Sequence, residues 1–225
     1  MKHLQLFENF EDIESICRRY RITNYTINPD GTVDVDDLVD LFSRGLTKLP
    51  LKFGRVTGNF NCNHNQLTTL EGCPKEVGDS FYCNDNLLTT LEGSPKKVGE
   101  HFICNKNKLT TLKGCTEEVG GGFSCLLNEL ISLEGGPKKV GSFFDCSSNK
   151  LTSLEGYPKE LDGYFECWRN PIENIYNLFG SLKEFQDSMD YGYLRGTDII
   201  KLRFKEALEE IGVKLPKEIK GYNYI

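Results

Sequence analysis

The chain of 225 residues lacks any long run of hydrophobic side chains. A membrane-spanning helix needs roughly 20 consecutive apolar residues, and no stretch approaches that length. The first 20 residues carry acidic side chains where a secretory signal needs an unbroken apolar segment. We therefore expect no membrane segment and place the protein in the cytoplasm.

An excess of basic residues is missing as well. The chain has 27 Lys and Arg against 33 Asp and Glu, which gives a formal net charge of -6. Affinity for nucleic acid depends mainly on clustered Lys and Arg. We therefore expect no nucleic-acid partner.

Close cysteine pairs of the C-x-x-C type, which often bind zinc, are absent although the chain has nine cysteines. Six of the nine follow one another at intervals of 21 residues, namely Cys62, Cys83, Cys104, Cys125, Cys146 and Cys167. Such even spacing indicates a structural period, so we expect small buried thiols and no metal. Cys73 and Cys115 share one repeat position two units apart, too far for a disulfide.

Other residue types repeat with the same period, which is typical of a solenoid. Phe stands two residues before each of these cysteines and Asn stands three residues after it; two Leu or Ile columns follow, and a Val or Leu column precedes them. The asparagines are Asn65, Asn86, Asn107, Asn128, Asn149 and Asn170. The Phe-x-Cys spacing predicts a short strand with both side chains inward, because strand side chains alternate. Stacked coils then bury a core that no single coil could form alone.

The segment Phe81-Tyr-Cys83-Asn-Asp-Asn86-Leu-Leu88 resembles the strand and asparagine turn of leucine-rich repeats. The resemblance covers residues 36–176, with one degenerate unit, in which Arg44 replaces the asparagine, and six regular units. It implies a right-handed coil with a parallel β-sheet on its concave side and an asparagine ladder that binds the turn backbone. The short unit is similar to repeats of bacterial and phage-encoded proteins. Phe and Cys stand where leucines are usual, and glycines such as Gly78 precede the strand.

The flanking segments should cap the two ends of the solenoid. Apolar residues at helical spacing predict a helix over residues 8–20, and Tyr25 to Val35 predicts a hairpin; together they form a cap over 1–35. After the repeats, residues 177–225 form a mostly helical cap. In it, Ser181 with Glu184 predicts one helix start, Asp198 predicts another, and the last residues resemble half a repeat that could add a strand.

Outward positions that differ between units carry the functional information. Near the C-terminal end of the strand face they hold apolar, aromatic and Arg side chains of the kind that dominates protein interfaces. We call these residues the aromatic patch: Ile103, Leu126, Leu127, Phe143, Tyr164, Trp168 and Arg169. Two interpretations stay open, because the patch could bind a partner or lie under the C-terminal cap.

The patch makes a non-catalytic protein-binding module the leading hypothesis, acting through the concave face, with a host or bacterial protein as target if the chain is phage-encoded. The alternative is an architectural, self-associating solenoid. We predict no enzyme activity, no catalytic residue and no cofactor, because His3, His64 and His101 are scattered without serine or cysteine partners at matching positions.

Overall fold

The computed structural model describes residues 12–179, 182–189, 194–195, 198–199, 201–220 and 222–225. Residues 12–35 confirm a helix and a hairpin at the N-terminal end. Helix α1 (Ile13–Tyr20) begins at Asp12, whose carboxylate accepts the Ser15 N–H at 2.7 Å. Strands β1 (Tyr25–Ile27) and β2 (Val33–Val35) then pair in antiparallel fashion. The predicted helix residues 8–11 lie outside the described part of the chain.

The repeats form a β-solenoid in which the chain enters two sheets in every coil. The strands are, in chain order, β3 (Val39–Asp40), β4 (Phe53–Val56), β5 (Phe60–Asn61), β6 (Glu76–Val77), β7 (Phe81–Tyr82), β8 (Lys97–Val98), β9 (Phe102–Ile103), β10 (Glu118–Val119), β11 (Phe123–Ser124), β12 (Lys139–Val140), β13 (Phe144–Asp145), β14 (Glu160–Leu161) and β15 (Phe165–Glu166). The odd-numbered strands from β3 to β15 form a parallel sheet, here called the phenylalanine sheet. The even-numbered strands from β4 to β14, together with β1 and β2, form the valine sheet.

Within the repeats the sequence predicted strands only at the Phe-x-Cys segments, and the structure adds the valine sheet. From β3 to β15 the register is the same in both sheets, because each residue pairs with the residue 21 positions later, as Phe123 does with Phe144 and Val119 with Val140. The pairing of β2 with β4 is irregular, with Val33 opposite Phe53. The Phe and Leu columns are almost fully buried between the two sheets through most of the solenoid. Burial of apolar surface in every coil is therefore shared with both neighbouring coils.

A glycine column makes the corner between the two sheets very tight. At Gly99 an added Cβ would overlap the carbonyl oxygen of Gly78, and Gly120 and Gly141 meet the preceding coil in the same way. Backbones that approach this closely leave no room for a side chain. The glycines that depart from the usual leucine-rich pattern thus set the distance between successive coils at this corner.

The asparagine column forms the expected ladder. Asn128, for example, donates from Nδ2 to the carbonyl oxygens of Cys125 at 3.0 Å and Cys104 at 3.1 Å. Its Oδ1 accepts the N–H of Leu109 at 3.0 Å. Because a single side chain binds backbone groups in its own and the preceding coil, each asparagine fixes the stacking of two coils.

The C-terminal segment caps the last coil with helices α2 (Glu173–Tyr176), α3 (Leu182–Met189) and α4 (Lys201–Glu210). A separate sheet contains β16 (Leu194–Arg195), β17 (Asp198–Ile199) and β18 (Asn223–Tyr224). Two predictions need correction here. Asp198 lies in strand β17 and not directly before α4, and the last strand pairs with β17 instead of extending the solenoid. Ser181 lies outside the described residues.

Candidate functional site

The structure places the aromatic patch on the outer face of the phenylalanine sheet and in the turns that follow its strands. Tyr164 is 59% exposed, Trp168 is 54% exposed and Leu127 is 43% exposed. Arg169 is also exposed, whereas Ile103, Leu126 and Phe143 are partly buried. All of these residues belong to the repeats between β9 and the turn after β15. The residues that the sequence singled out therefore occupy the C-terminal half of one face.

Three aromatic rings form a row across the strands of this face. The ring of Phe143 stacks on Tyr164 with centroids 5.6 Å apart and planes 17° apart, and its other neighbour is His101 at 5.6 Å. Phe143 can reach His101, two coils away, because Gly122 between them has no side chain; an added Cβ there would overlap the Phe143 ring. The Gly122 N–H donates to Nδ1 of His101 at 2.8 Å. The hydrogen bond from Gly122 therefore fixes the orientation of His101, the first ring of the row.

The turn residues of the patch have a constrained backbone. Leu127 and Arg169 each have φ 57°, in the left-handed region, as do the residues at the same repeat position in the other coils. The N–H of Arg169 donates to Oε2 of Glu173 in α2 at 2.6 Å. Because the backbone is fixed, the Leu127 and Arg169 side chains project from defined points at the edge of the patch.

The C-terminal cap contacts the last coil next to the patch, where Glu173 accepts the Arg169 N–H, and at two further places. Tyr176 packs against Phe165, with ring centroids 6.4 Å apart, and the Tyr222 hydroxyl donates to the carbonyl oxygen of Thr152 at 2.9 Å. These two contacts lie at the end of the solenoid, at Phe165 of the last strand and at Thr152, which follows Leu151 of a Leu column. The described part of the cap leaves Tyr164 and Trp168 more than half exposed.

Two carboxylates lie within the patch that sequence reasoning did not include in it. Asp145 on β13 pairs directly with Glu166 on β15, and Glu166 lies between Tyr164 and Trp168 at alternate, outward positions. Asp145 accepts the Ser147 N–H at 2.9 Å and faces the Ser124 hydroxyl at 3.4 Å. The sequence did place Asp145 and Glu166 at one outward repeat position, but the site was selected for its exposed apolar and aromatic residues.

A buried hydroxyl lies at the same place. Ser147 is 7% exposed, and its Oγ has no hydrogen-bond partner among the described residues. Ser147 occupies the same repeat position as Leu126 and Trp168 in the coils on either side. Large neighbours in a column that should face water explain why this serine is buried.

The remaining chemical groups do not form a second cluster in the described residues. His64 lies 3.6 Å from Asp85 in the N-terminal half of the solenoid, whereas His101 contacts Phe143 in the aromatic row. Glu92 forms an ion pair of 2.8 Å with Lys113. Among the residues that the structure describes, no group of three His, Cys, Asp or Glu side chains could hold a metal ion.

The cysteines are free and, apart from the partly exposed Cys115, buried. Burial raises the pKa of the Cys104 and Cys125 thiols well above the ordinary value of 9.0, and raises the pKa of Cys167 to about 12. A thiol with a raised pKa stays protonated near neutral pH and is a poor nucleophile. The cysteine column is therefore part of the core.

Comparisons with protein-family models, curated proteins and solved structures found no significant match. No helix within the described ranges is both long enough and apolar enough to span a membrane. The architecture is a solenoid of stacked 21-residue repeats with parallel strands.

Proposed function

We propose that the protein is a non-catalytic binding module that holds a protein partner on the outer face of the phenylalanine sheet, at the aromatic patch. The observation that carries this proposal is the exposure of Tyr164 and Trp168 on a regular sheet face. Aromatic and Arg side chains are enriched among the residues that dominate binding energy at protein interfaces. Neighbouring Phe143 and Leu127 extend the apolar surface across the adjacent coils.

The rigid backbone supports the same function. The parallel pairing of β11, β13 and β15 fixes the spacing of outward side chains, and the asparagine ladder fixes the turns. A surface that is already ordered loses little conformational entropy when a partner binds. A rigid sheet with variable outward residues is thus suited to recognition.

We also propose membership of the leucine-rich repeat superfamily, supported by the asparagine ladder and the Leu-x-x-Leu columns. The similarity of the short unit to bacterial and phage-encoded repeats supports a cytoplasmic protein that binds, and in the phage case inhibits, a host protein. The acidic net charge of -6 agrees with a protein partner in preference to nucleic acid.

Affinity capture from a bacterial lysate, followed by mass spectrometry, tests this proposal. The protein is compared with the double variant Tyr164→Ala/Trp168→Ala, which removes two exposed rings. We expect a partner that the unchanged protein retains and the variant loses, with affinity reduced by about tenfold or more because these rings are the most exposed apolar side chains of the patch. Equal retention by both proteins would refute the site.

The chain offers a matched control at the other end of the same sheet. Leu38 and Phe42 occupy the same two repeat positions as Tyr164 and Trp168, and they are 51% and 47% exposed. The variant Leu38→Ala/Phe42→Ala removes similar apolar area from the same face. It should retain the partner, and its loss of binding instead would move the site to the N-terminal end.

Self-association is the second candidate, and the two edges of the phenylalanine sheet favour it. In a parallel sheet every strand directs both N–H and C=O groups of alternate residues toward each neighbour. The Cys146 N–H, for example, donates to the carbonyl oxygen of Glu166 in the coil that follows, at 2.9 Å. The first strand, β3, and the last strand, β15, therefore both have N–H and carbonyl groups on their open sides. Two such unpaired edges can pair with each other in the parallel register that the repeat already uses. Sedimentation velocity over a wide concentration range should show mass growth if this is the function, and a constant monomer would refute it.

A further inference from the structure

We propose that the aromatic patch recognises an arginine side chain of the partner protein, which enters beside Asp145 and Glu166. This inference rests on the proposed function, since it names the chemistry of the group that binds at the same site. The strand register, charge and exposure of the described residues support it.

The two carboxylates are the one pair of like charges among the described register pairs of the two solenoid sheets. Asp145 and Glu166 are direct partners in the parallel register of β13 and β15, and adjacent strands are about 4.8 Å apart. Like charges placed directly opposite each other destabilise a sheet. Neither carboxylate has a cationic partner among the residues that the structure describes.

The valine sheet shows the arrangement that the repeat uses elsewhere. At the corresponding outward position its residues alternate in sign through Arg55, Glu76, Lys97, Glu118, Lys139 and Glu160. Lys139 and Glu160, at the same end of the solenoid, form an ion pair of 2.9 Å. The register thus pairs opposite charges on the valine sheet but two acids on the phenylalanine sheet. A cation bound at Asp145 and Glu166 would relieve the repulsion between them.

The groups around the carboxylates favour a guanidinium as that cation. Tyr164 and Trp168 flank Glu166 on the same strand face, and both rings are more than half exposed. A guanidinium is planar, so that it can stack on an aromatic ring while its N–H groups bind carboxylates. The buried hydroxyl of Ser147, whose own N–H binds Asp145, has no hydrogen-bond partner among the described residues and is a further acceptor beside the carboxylates.

Trp168 is the only tryptophan of the chain, so its fluorescence reports on this site directly. The probe is an acetylated and amidated Gly-Arg-Gly-Arg-Gly peptide, compared with the same peptide in which citrulline, which is neutral and of the same shape, replaces arginine. We expect a saturable change in fluorescence with the arginine peptide and binding weaker by about tenfold or more with the citrulline peptide. Binding should weaken when the salt concentration is raised to about 0.3 M.

The decisive variant is Glu166→Gln, which keeps the shape of the side chain and both aromatic rings. It should weaken arginine-peptide binding by about fivefold or more, while thermal stability stays the same or rises because the like-charge contact with Asp145 is removed. Glu160→Gln removes the same charge from the valine sheet and should leave peptide binding unchanged. Equal binding of the arginine and citrulline peptides, or unchanged binding by Glu166→Gln, would overturn the inference.

The capture experiment separates failure of this inference from failure of the proposed function. Loss of a captured partner with Tyr164→Ala/Trp168→Ala but full retention with Glu166→Gln would keep the binding module and reject the arginine. Loss with both variants supports the arginine. If neither variant changes what is captured, both proposals fall.

Discussion

Removing one rung of the asparagine ladder tests how the coils are held together. The change is Asn128→Ala, at a residue that is 8% exposed in the middle of the solenoid. The side chain accepts one bond, from the Leu109 N–H, and donates two short ones, to the carbonyl oxygens of Cys104 and Cys125. A third, longer donor bond of 3.4 Å goes to the carbonyl oxygen of Leu126, which keeps the Lys106 N–H at 2.9 Å. Loss of the side chain therefore mainly affects three backbone groups in two coils.

The cost differs between these three groups. The carbonyl oxygen of Cys104 keeps a bond from Asn107, and that of Cys125 keeps one from Asn149. Each lost donor bond then costs about 0.5 kcal/mol, toward the low end for a hydrogen bond. The Leu109 N–H loses its partner in the core, which costs about 2 kcal/mol. We expect Asn128→Ala to lower the free energy of unfolding by about 3 kcal/mol.

Urea denaturation followed by circular dichroism measures this loss. With a denaturant slope of about 3 kcal/mol per molar for a chain of this size, the midpoint should fall by about 1 M. Asn128→Asp should cost still more, since it places an oxygen anion against the two carbonyl oxygens. Asn174→Ala, at an exposed amide, is the control and should change stability by less than about 1 kcal/mol. A midpoint for Asn128→Asp equal to that of the unchanged protein would refute the role of the ladder.

Two further predictions concern the glycine corner and the thiols. Gly99→Ala should destabilise the fold by about 3 kcal/mol in the same urea assay, because its Cβ would overlap the Gly78 carbonyl. Asp162→Ala, at the same repeat position, is the control and should be nearly neutral. Equal effects of the two substitutions would contradict the close approach of the backbones. Burial raises the pKa of seven thiols of the repeats, so these thiols ionise above pH 9.0 in the unfolded chain and stay protonated in the folded protein; they are Cys73, Cys83, Cys104, Cys115, Cys125, Cys146 and Cys167. Stability is therefore fully present below pH 9.0 and lost above it, by about 1.4 kcal/mol per thiol at one unit higher. Seven such terms, about 10 kcal/mol, match the whole stability of a typical domain, so the reduced protein should unfold by about pH 10 in a circular dichroism titration; a flat stability profile would contradict this.

The period of 21 residues made most of the solenoid predictable. Six aligned cysteines, phenylalanines and asparagines gave the strands of the phenylalanine sheet, the inward columns and the asparagine ladder. The valine sheet was missed as a sheet because most of its coils contribute a single inward apolar residue, the Val or Leu, whereas each Phe-x-Cys pair shows the alternation of a strand. Outside the repeats no period constrains the chain, and Asp198 was predicted to cap a helix although it lies in a strand.

The sequence by itself determined which side chains point inward and which point outward, because alternation along a strand and recurrence every 21 residues leave no other register. It thereby determined the candidates for the aromatic patch. Only the tertiary structure decided how those candidates meet. The Phe143 ring lies over Gly122 to reach His101, Asp145 faces Glu166 without a cation in the described chain, and the described part of the cap leaves Trp168 exposed. Each of these depends on side-chain direction and on the path of the cap, which depend on packing between distant segments and not on a local pattern.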